Sequence, residues 1–194
     1  PLPDTPADLE VEGESAGGGW RIPRFAWRDG NALTATGSAA FGEGASLQAL
    51  DVDLHSGDVA PLRDRYLSGW LGLAGLGDLA MSGALDASLR IADGALQSAD
   101  ATLHDIDLAD ARGRFRFDDL AGHPRFSAGE QVTSDLRWSG GQLYGLDFDA
   151  ASLPLESSEG ELRLREAVAF DAFGGSIRLD GFVLAHDACI EEIP

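Results

Sequence analysis

The chain has 194 residues, 44% of them hydrophobic and 24% charged, enough apolar content for one sizeable domain or one long repetitive sheet. Its formal charge is −19, from 33 acidic residues against 14 basic ones, and every basic residue is arginine. A surface of that sign repels phosphate backbones and anionic headgroups, which argues against nucleic-acid binding and docking on an acidic membrane.

In chain order, residues 1–19 read as a loose edge segment. Pro1, Pro3, Pro6 and the Gly17-Gly18-Gly19 run flank one short alternating patch, Leu9 to Glu12. Residues 20–57 read as a first hairpin region, in which Ile22, Phe25 and Trp27 lead to the turn Asp29-Gly30 and small residues continue outward from Leu33 to Phe41. Leu50-Asp51-Val52-Asp53-Leu54 then sets two aspartates on one strand face and the apolar residues on the other, a form repeated at His104 to Leu108 and at Leu146 to Ala150. Residues 58–70 read as a short amphipathic helix. Asp58 can cap it, Pro61 suits its first turn, and Val59, Leu62, Tyr66 and Trp70 recur on one face. Arg63, Asp64 and Arg65 carry no basic excess, so the helix is expected to pack over the end of a sheet rather than on a membrane surface. The glycines from Gly72 to Gly77 do not match the spacing of a phosphate loop.

Residues 83–184 read as repeated hairpins. In Gly83 to Leu96, the apolar residues Leu85, Ala87, Leu89 and Ile91 alternate with Asp86, Ser88 and Arg90, and Asp93-Gly94 reverses the chain. The same phrase returns at Phe25 to Gly30, at Leu136 to Gly141 and at Ile177 to Gly181, which predicts further turns at Gly140-Gly141 and Asp180-Gly181. Arg112, Arg114 and Arg116 are expected to pair across strands with the aspartate faces. Leu162, Leu164, Ile177 and Leu179 extend the apolar side through the last strands, and residues 185–194 form a polar tail. The turn glycines Gly30, Gly94, Gly141 and Gly181 stand 64, 47 and 40 residues apart, too irregular for a solenoid or propeller. The expected fold is therefore mainly β, a long curved antiparallel sheet of repeated hairpins forming a groove or half-tube, with one short helix. A β-sandwich is the alternative.

Reactive constellations are not evident. His55, His104, His123 and His186 lie far apart in the sequence, and none forms an HxxxH or HExxH pair, so no metal site is expected. There is no Gly-x-Ser-x-Gly elbow, and His186 stands three residues before Cys189 in a polar tail, a weak pairing for a nucleophile and its base. The single cysteine can form no internal disulfide and leaves the redox compartment open. No catalytic residue and no cofactor is expected. The chain opens on Pro1 and holds neither a signal segment nor an apolar run of the roughly 18 residues a membrane helix needs, so it is expected to be a piece of a longer polypeptide.

Tyr66-Leu67, the run Gly83 to Leu96 and the run Phe173-Gly174-Gly175-Ser176-Ile177-Arg178-Leu179 resemble the AsmA/TamB/YhdP-type proteins of Gram-negative envelopes. Leucine-rich strands of the form G-x-L-x-G-x-L-x-(apolar)-x-D-G-x-(apolar), with a late apolar-Gly-Gly, are common in that group. The likeness is one of motif over Asp58 to Leu96 and Val168 to Leu184, and Ala87 stands where the second glycine is expected. The resemblance implies a periplasmic section of a protein anchored in the inner membrane, whose curved sheet conducts phospholipid acyl chains between the membranes, with the flanking chain and envelope proteins as partners.

Two physical solutions exist for a one-sided apolar sheet: a groove that holds a ligand, and a closed core. In the first, Leu85, Leu89, Ile91, Leu136, Trp138, Leu162, Leu164, Ile177 and Leu179 face an acyl chain. In the second, the chain is a β-sandwich interaction or adhesion module whose aspartate pairs hold Ca²⁺ and whose Trp20 or Trp27 grips a sugar or partner. An enzyme acting on carbohydrate is a third reading that rests only on the abundance of acids.

Overall fold

Period-2 alternation dominates the chain, and 69% of it is strand. The computed structural model describes residues 7–16 and 18–185. Its strands are β1 (Asp8–Ala16), β2 (Gly19–Asp29), β3 (Leu33–Phe41), β4 (Leu47–Ser56), β5 (Leu79–Ala92), β6 (Ala95–Asp110) and β7 (Phe115–His123). They continue as β8 (Arg125–Ser127), β9 (Val132–Leu143), β10 (Leu146–Ser158), β11 (Glu161–Leu164), β12 (Val168–Ala172), β13 (Gly175–Leu179) and β14 (Val183–Ala185). All join one 14-stranded sheet of order β1-β2-β3-β4-β5-β6-β7-β9-β10-β11-β14, with β8 on β6 and the β12–β13 hairpin branching from β10. The sheet is long, curved and open, so the two-sheet sandwich is not what this chain builds.

Four hairpins close through two-residue turns: Asp93-Gly94, Tyr144-Gly145, Glu159-Gly160 and Phe173-Gly174. Both residues of each turn have positive φ, from 49° to 58° at the first position and 73° to 81° at glycine, the backbone that matches the right-handed twist of the flanking strands. The general signal is therefore any residue followed by glycine, of which Asp-Gly is one case. Asp29-Gly30 also reverses the chain, with Ala32 N–H donating to the Asp29 carbonyl at 3.0 Å. Two expected turns are corrected. Gly140-Gly141 lies inside β9, whose hairpin with β10 turns at Tyr144-Gly145. Asp180-Gly181 joins strands that do not pair with each other, because β13 pairs β12 and β14 pairs β11. Gly141 is glycine for a packing reason: a Cβ there would lie 2.3 Å from the Arg116 carbonyl oxygen and 2.3 Å from the Phe148 ring.

A line of irregularities crosses the middle of the sheet. Asp105 on β6 and Asp119 on β7 have φ of 47° and 51°, and the β6–β7 register slips beside each. On β9 the buried positions change from even (Ser134, Trp138) to odd (Gly141) in the same band. Each extra residue flips the alternation, so side chains of opposite parity in sequence share one face. Asp105 therefore does not share a regular strand face with Asp107 as Asp51 does with Asp53.

The helix spans 60–73. The Asp58 carboxylate accepts from the Ala60 N–H at 3.0 Å, and Pro61 stands in the first turn. Its middle, Arg63–Leu67, is a π turn, which takes an extra residue and rotates the faces that follow. Val59 and Leu62 are buried against Ile106, and Leu67 joins Leu33, Met81, Leu85, Leu103, Leu108 and Leu120 around them. The expected stripe consequently breaks: Tyr66 is 36% exposed and Trp70 is 77% exposed. The helix still packs over one end of the sheet through its first turns.

Candidate functional site: the apolar face of the sheet

Strand register assembles one continuous apolar face. Leu85, Ala87, Leu89 and Ile91 of β5 stand opposite Ser56, Leu54, Val52 and Leu50 of β4, and opposite Leu103, Ala101, Ala99 and Leu96 of β6. From Leu103 the row passes through Gly122 to Leu136 and Leu153. Leu155 then faces Leu164, Ser157 faces Leu162, Phe170 faces Ile177, and Val168 faces Leu179. Across the band of bulges, the Trp138 ring lies 5.8 Å from Phe117, 6.1 Å from Phe148 and 5.9 Å from Phe170. All nine residues expected from the sequence thus lie on the same side of the sheet.

They differ in their cover. Leu85 packs beside the helix core, and Trp138 is buried at 7% exposure, its indole N–H donating to the Asp149 carbonyl at 3.1 Å. Leu89, Ile91, Leu136, Leu162, Leu164, Ile177 and Leu179 are half-buried. Among the described residues, thirteen hydrophobic side chains are buried, and six of those are alanine. A closed core would bury the leucines and isoleucines of this row, and here they keep part of their surface open.

One end of the face is held by a polar latch. Asp29, 3% exposed, accepts from the Tyr66 hydroxyl at 2.8 Å and from Arg65, while Trp27 Nε1–H donates to the Tyr66 oxygen at 2.8 Å. The Arg65 guanidinium, helped by Tyr66, holds the Asp29 carboxyl below the usual carboxylate range despite its burial. Burial pushes the Tyr66 phenol up. At the far side of the helix Arg114 donates to both oxygens of Asp110 and to the Gly75 carbonyl, and it lowers the Asp110 pKa to about 2. Arg114 is therefore a loop clamp, and Arg116 pairs with Asp118 two residues on; the expected cross-strand pairing is instead made by Arg90 with Asp51 and Arg125 with Asp100.

The opposite, polar face gathers three of the histidines that are distant in sequence. His55 Nδ1 lies 2.7 Å from one oxygen of Asp86, His104 Nε2 lies 3.0 Å from the other, and Thr102 and His123 share a hydrogen bond of 2.6 Å. The two imidazoles, His55 first, hold the Asp86 carboxyl below its ordinary range. His55, Asp86, Thr102 and His123 line a shallow concavity of about 510 Å³. Their proximity follows from the pairing of β4, β5 and β6, which no local spacing reveals. Among the described residues, no group of three or more His, Cys, Asp or Glu side chains is placed to hold a metal ion, and the Asp-x-Asp strands gather no such group either. His186 and Cys189 lie outside the described residues.

No protein-family model, curated protein or solved structure matches the chain.

Proposed function

We propose that this module is a non-enzymatic lipid-binding segment whose apolar sheet face takes the acyl chains of a phospholipid. In that reading it belongs to a longer protein, anchored in the inner membrane and spanning the periplasm, that moves phospholipid between inner and outer membrane. The observation that supports it is the half-open row of Leu89, Ile91, Leu136 and their neighbours on a single, unclosed sheet. From β4 to β9 the row crosses four strand spacings, roughly 19 Å at about 4.8 Å each, against about 15 Å of hydrocarbon in one leaflet. Each methylene removed from water contributes about 0.8 kcal/mol. Roughly ten of them contribute about 8 kcal/mol before the costs of association.

The test is direct. Protein purified from a bacterial envelope is extracted and its extract read by mass spectrometry, and uptake of a fluorescent acyl probe is measured on the delipidated protein. Co-purifying phospholipid and saturable uptake are expected. Absence of both overturns the proposal.

A further inference from the structure

Beyond the groove, the end of the helix carries an unused surface. From Leu67 to Gly77 the sequence is LSGWLGLAGLG, eleven residues without a charge in a chain that is 24% charged. Trp70 is 77% exposed and Leu73 is 89% exposed, so both project from this tip. Its backbone is closed on itself: Leu76 N–H donates to the Leu71 carbonyl at 2.6 Å and Gly75 N–H to the Gly72 carbonyl at 3.1 Å, with Gly75 at φ 70°. That is a Schellman ending, which satisfies the carbonyl acceptors that an unfinished helix would leave bare. The arginines at its base are paired, Arg63 with Asp64 at 2.6 Å, Arg65 with Asp29 and Arg114 with Asp110 at 2.7 Å.

We infer that this tip docks on the surface of an electrically neutral phospholipid bilayer, with Trp70 and Leu73 entering the boundary between headgroups and acyl chains. Three features select that occupant over a protein. The two projecting side chains offer on the order of 300 Å², well short of the roughly 800 Å² per partner of a stable protein interface, yet enough for interfacial insertion. Internal satisfaction of backbone polar groups, here the last carbonyls of the helix, is what an apolar phase demands and what a hydrogen-bonding protein partner does not. Trp and Leu beside neutralised arginines enter the interface without stripping water from an unpaired arginine. The chain charge of −19 selects neutral over anionic headgroups. Leu67 of the same helix packs, as Leu85 and Leu103 do, on the core of Val59, Leu62 and Ile106, so a docked tip brings the apolar row to the bilayer; that last step rests on the groove reading.

The experiment uses flotation with phosphatidylcholine vesicles, comparing the unaltered chain with Trp70→Ser/Leu73→Ser. Both substituted side chains are exposed, so an unchanged circular-dichroism spectrum and melting temperature are expected for the variant. The unaltered chain is expected to float with the vesicles, the double variant to partition at least tenfold less, and a rising fraction of phosphatidylglycerol to weaken the binding. No flotation of the unaltered chain, or equal flotation of the variant, overturns the inference. Concentration-dependent dimerisation that the double variant loses, without vesicle binding, overturns it in favour of a second copy as the occupant. Acyl-probe uptake is read on the same samples. Loss of flotation with retained uptake separates the tip from the groove, and flotation without uptake leaves the tip standing while the groove reading fails.

Discussion

Tyr66→Phe removes one hydroxyl and tests the latch that ties the helix to the first hairpin. That oxygen accepts from Trp27 Nε1–H and donates to Asp29, each at 2.8 Å, and Asp29 is only 3% exposed, so water has poor access to replace the lost donor. A hydrogen bond to a charged, buried acceptor contributes about 1.5–3 kcal/mol, and Arg65 remains on the carboxylate, so a loss of about 2 kcal/mol is expected. For a chain of this size that is a fall of about 4–8 °C in melting temperature. The folded-state pKa of Asp29 is depressed, so its contribution is fully present above the unfolded value of 3.8 and fades as pH falls through the lower folded value. The gap between the two proteins should therefore be complete at neutral pH and shrink in strong acid. Thermal unfolding followed by circular dichroism at both pH values reads it. A melting temperature within 1 °C of the unaltered protein at neutral pH, or a gap that widens on acidification, would refute the latch.

Gly141→Ala puts a Cβ 2.3 Å from the Arg116 carbonyl oxygen and 2.3 Å from the Phe148 ring, so backbone and ring must both yield. Overpacking of this kind costs about 1–3 kcal/mol, and the near-ultraviolet signal of the Trp138 cluster should weaken with it. Gly145→Ala, in the turn at φ 81° with nothing within 4 Å of a Cβ, should destabilise through backbone strain and leave that aromatic signal intact. Acid titration should show the Asp110 clamp: its pKa is lowered to about 2, so the stability it supplies is present above about pH 4 and lost between about pH 4 and 2. Arg114→Ala should lower stability by a constant amount above about pH 4, and the gap to the unaltered protein should close between about pH 4 and 2, as read by denaturant unfolding at stepped pH.

The strands were legible in the sequence because alternation is local: Leu85 to Ile91 shows its two faces without knowledge of any partner. The helix start was legible for the same reason, since Asp58 and Pro61 act on their immediate neighbours. What was not legible depends on residues far apart. The bulges at Asp105 and Asp119 come from matching strands to partners, and in the same band Trp138 meets Phe117 and Phe148 against the sequence parity. The π turn at Arg63–Leu67 has no local signature, so the stripe ending at Trp70 reads as core when the side chain is exposed. Gly140-Gly141 resembles a turn by composition, and its meaning is set by a ring arriving from β10. The Asp86 histidine pair is likewise a product of register, with partners 31 and 18 residues away.

The central claim is that the apolar row stays open to an acyl chain, and Leu89→Glu addresses it most directly. Leu89 is half-buried between Val52 and Ala99, in the stretch of the row away from the helix. In an open groove the carboxylate keeps its water, the β spectrum and cooperative unfolding persist, and saturable uptake of a fluorescent acyl probe falls at least tenfold. In a closed core the same charge would be stripped of water and the protein would unfold. A folded variant that has lost the probe is the predicted result; an unfolded one, or a folded one that binds the probe as before, contradicts the account.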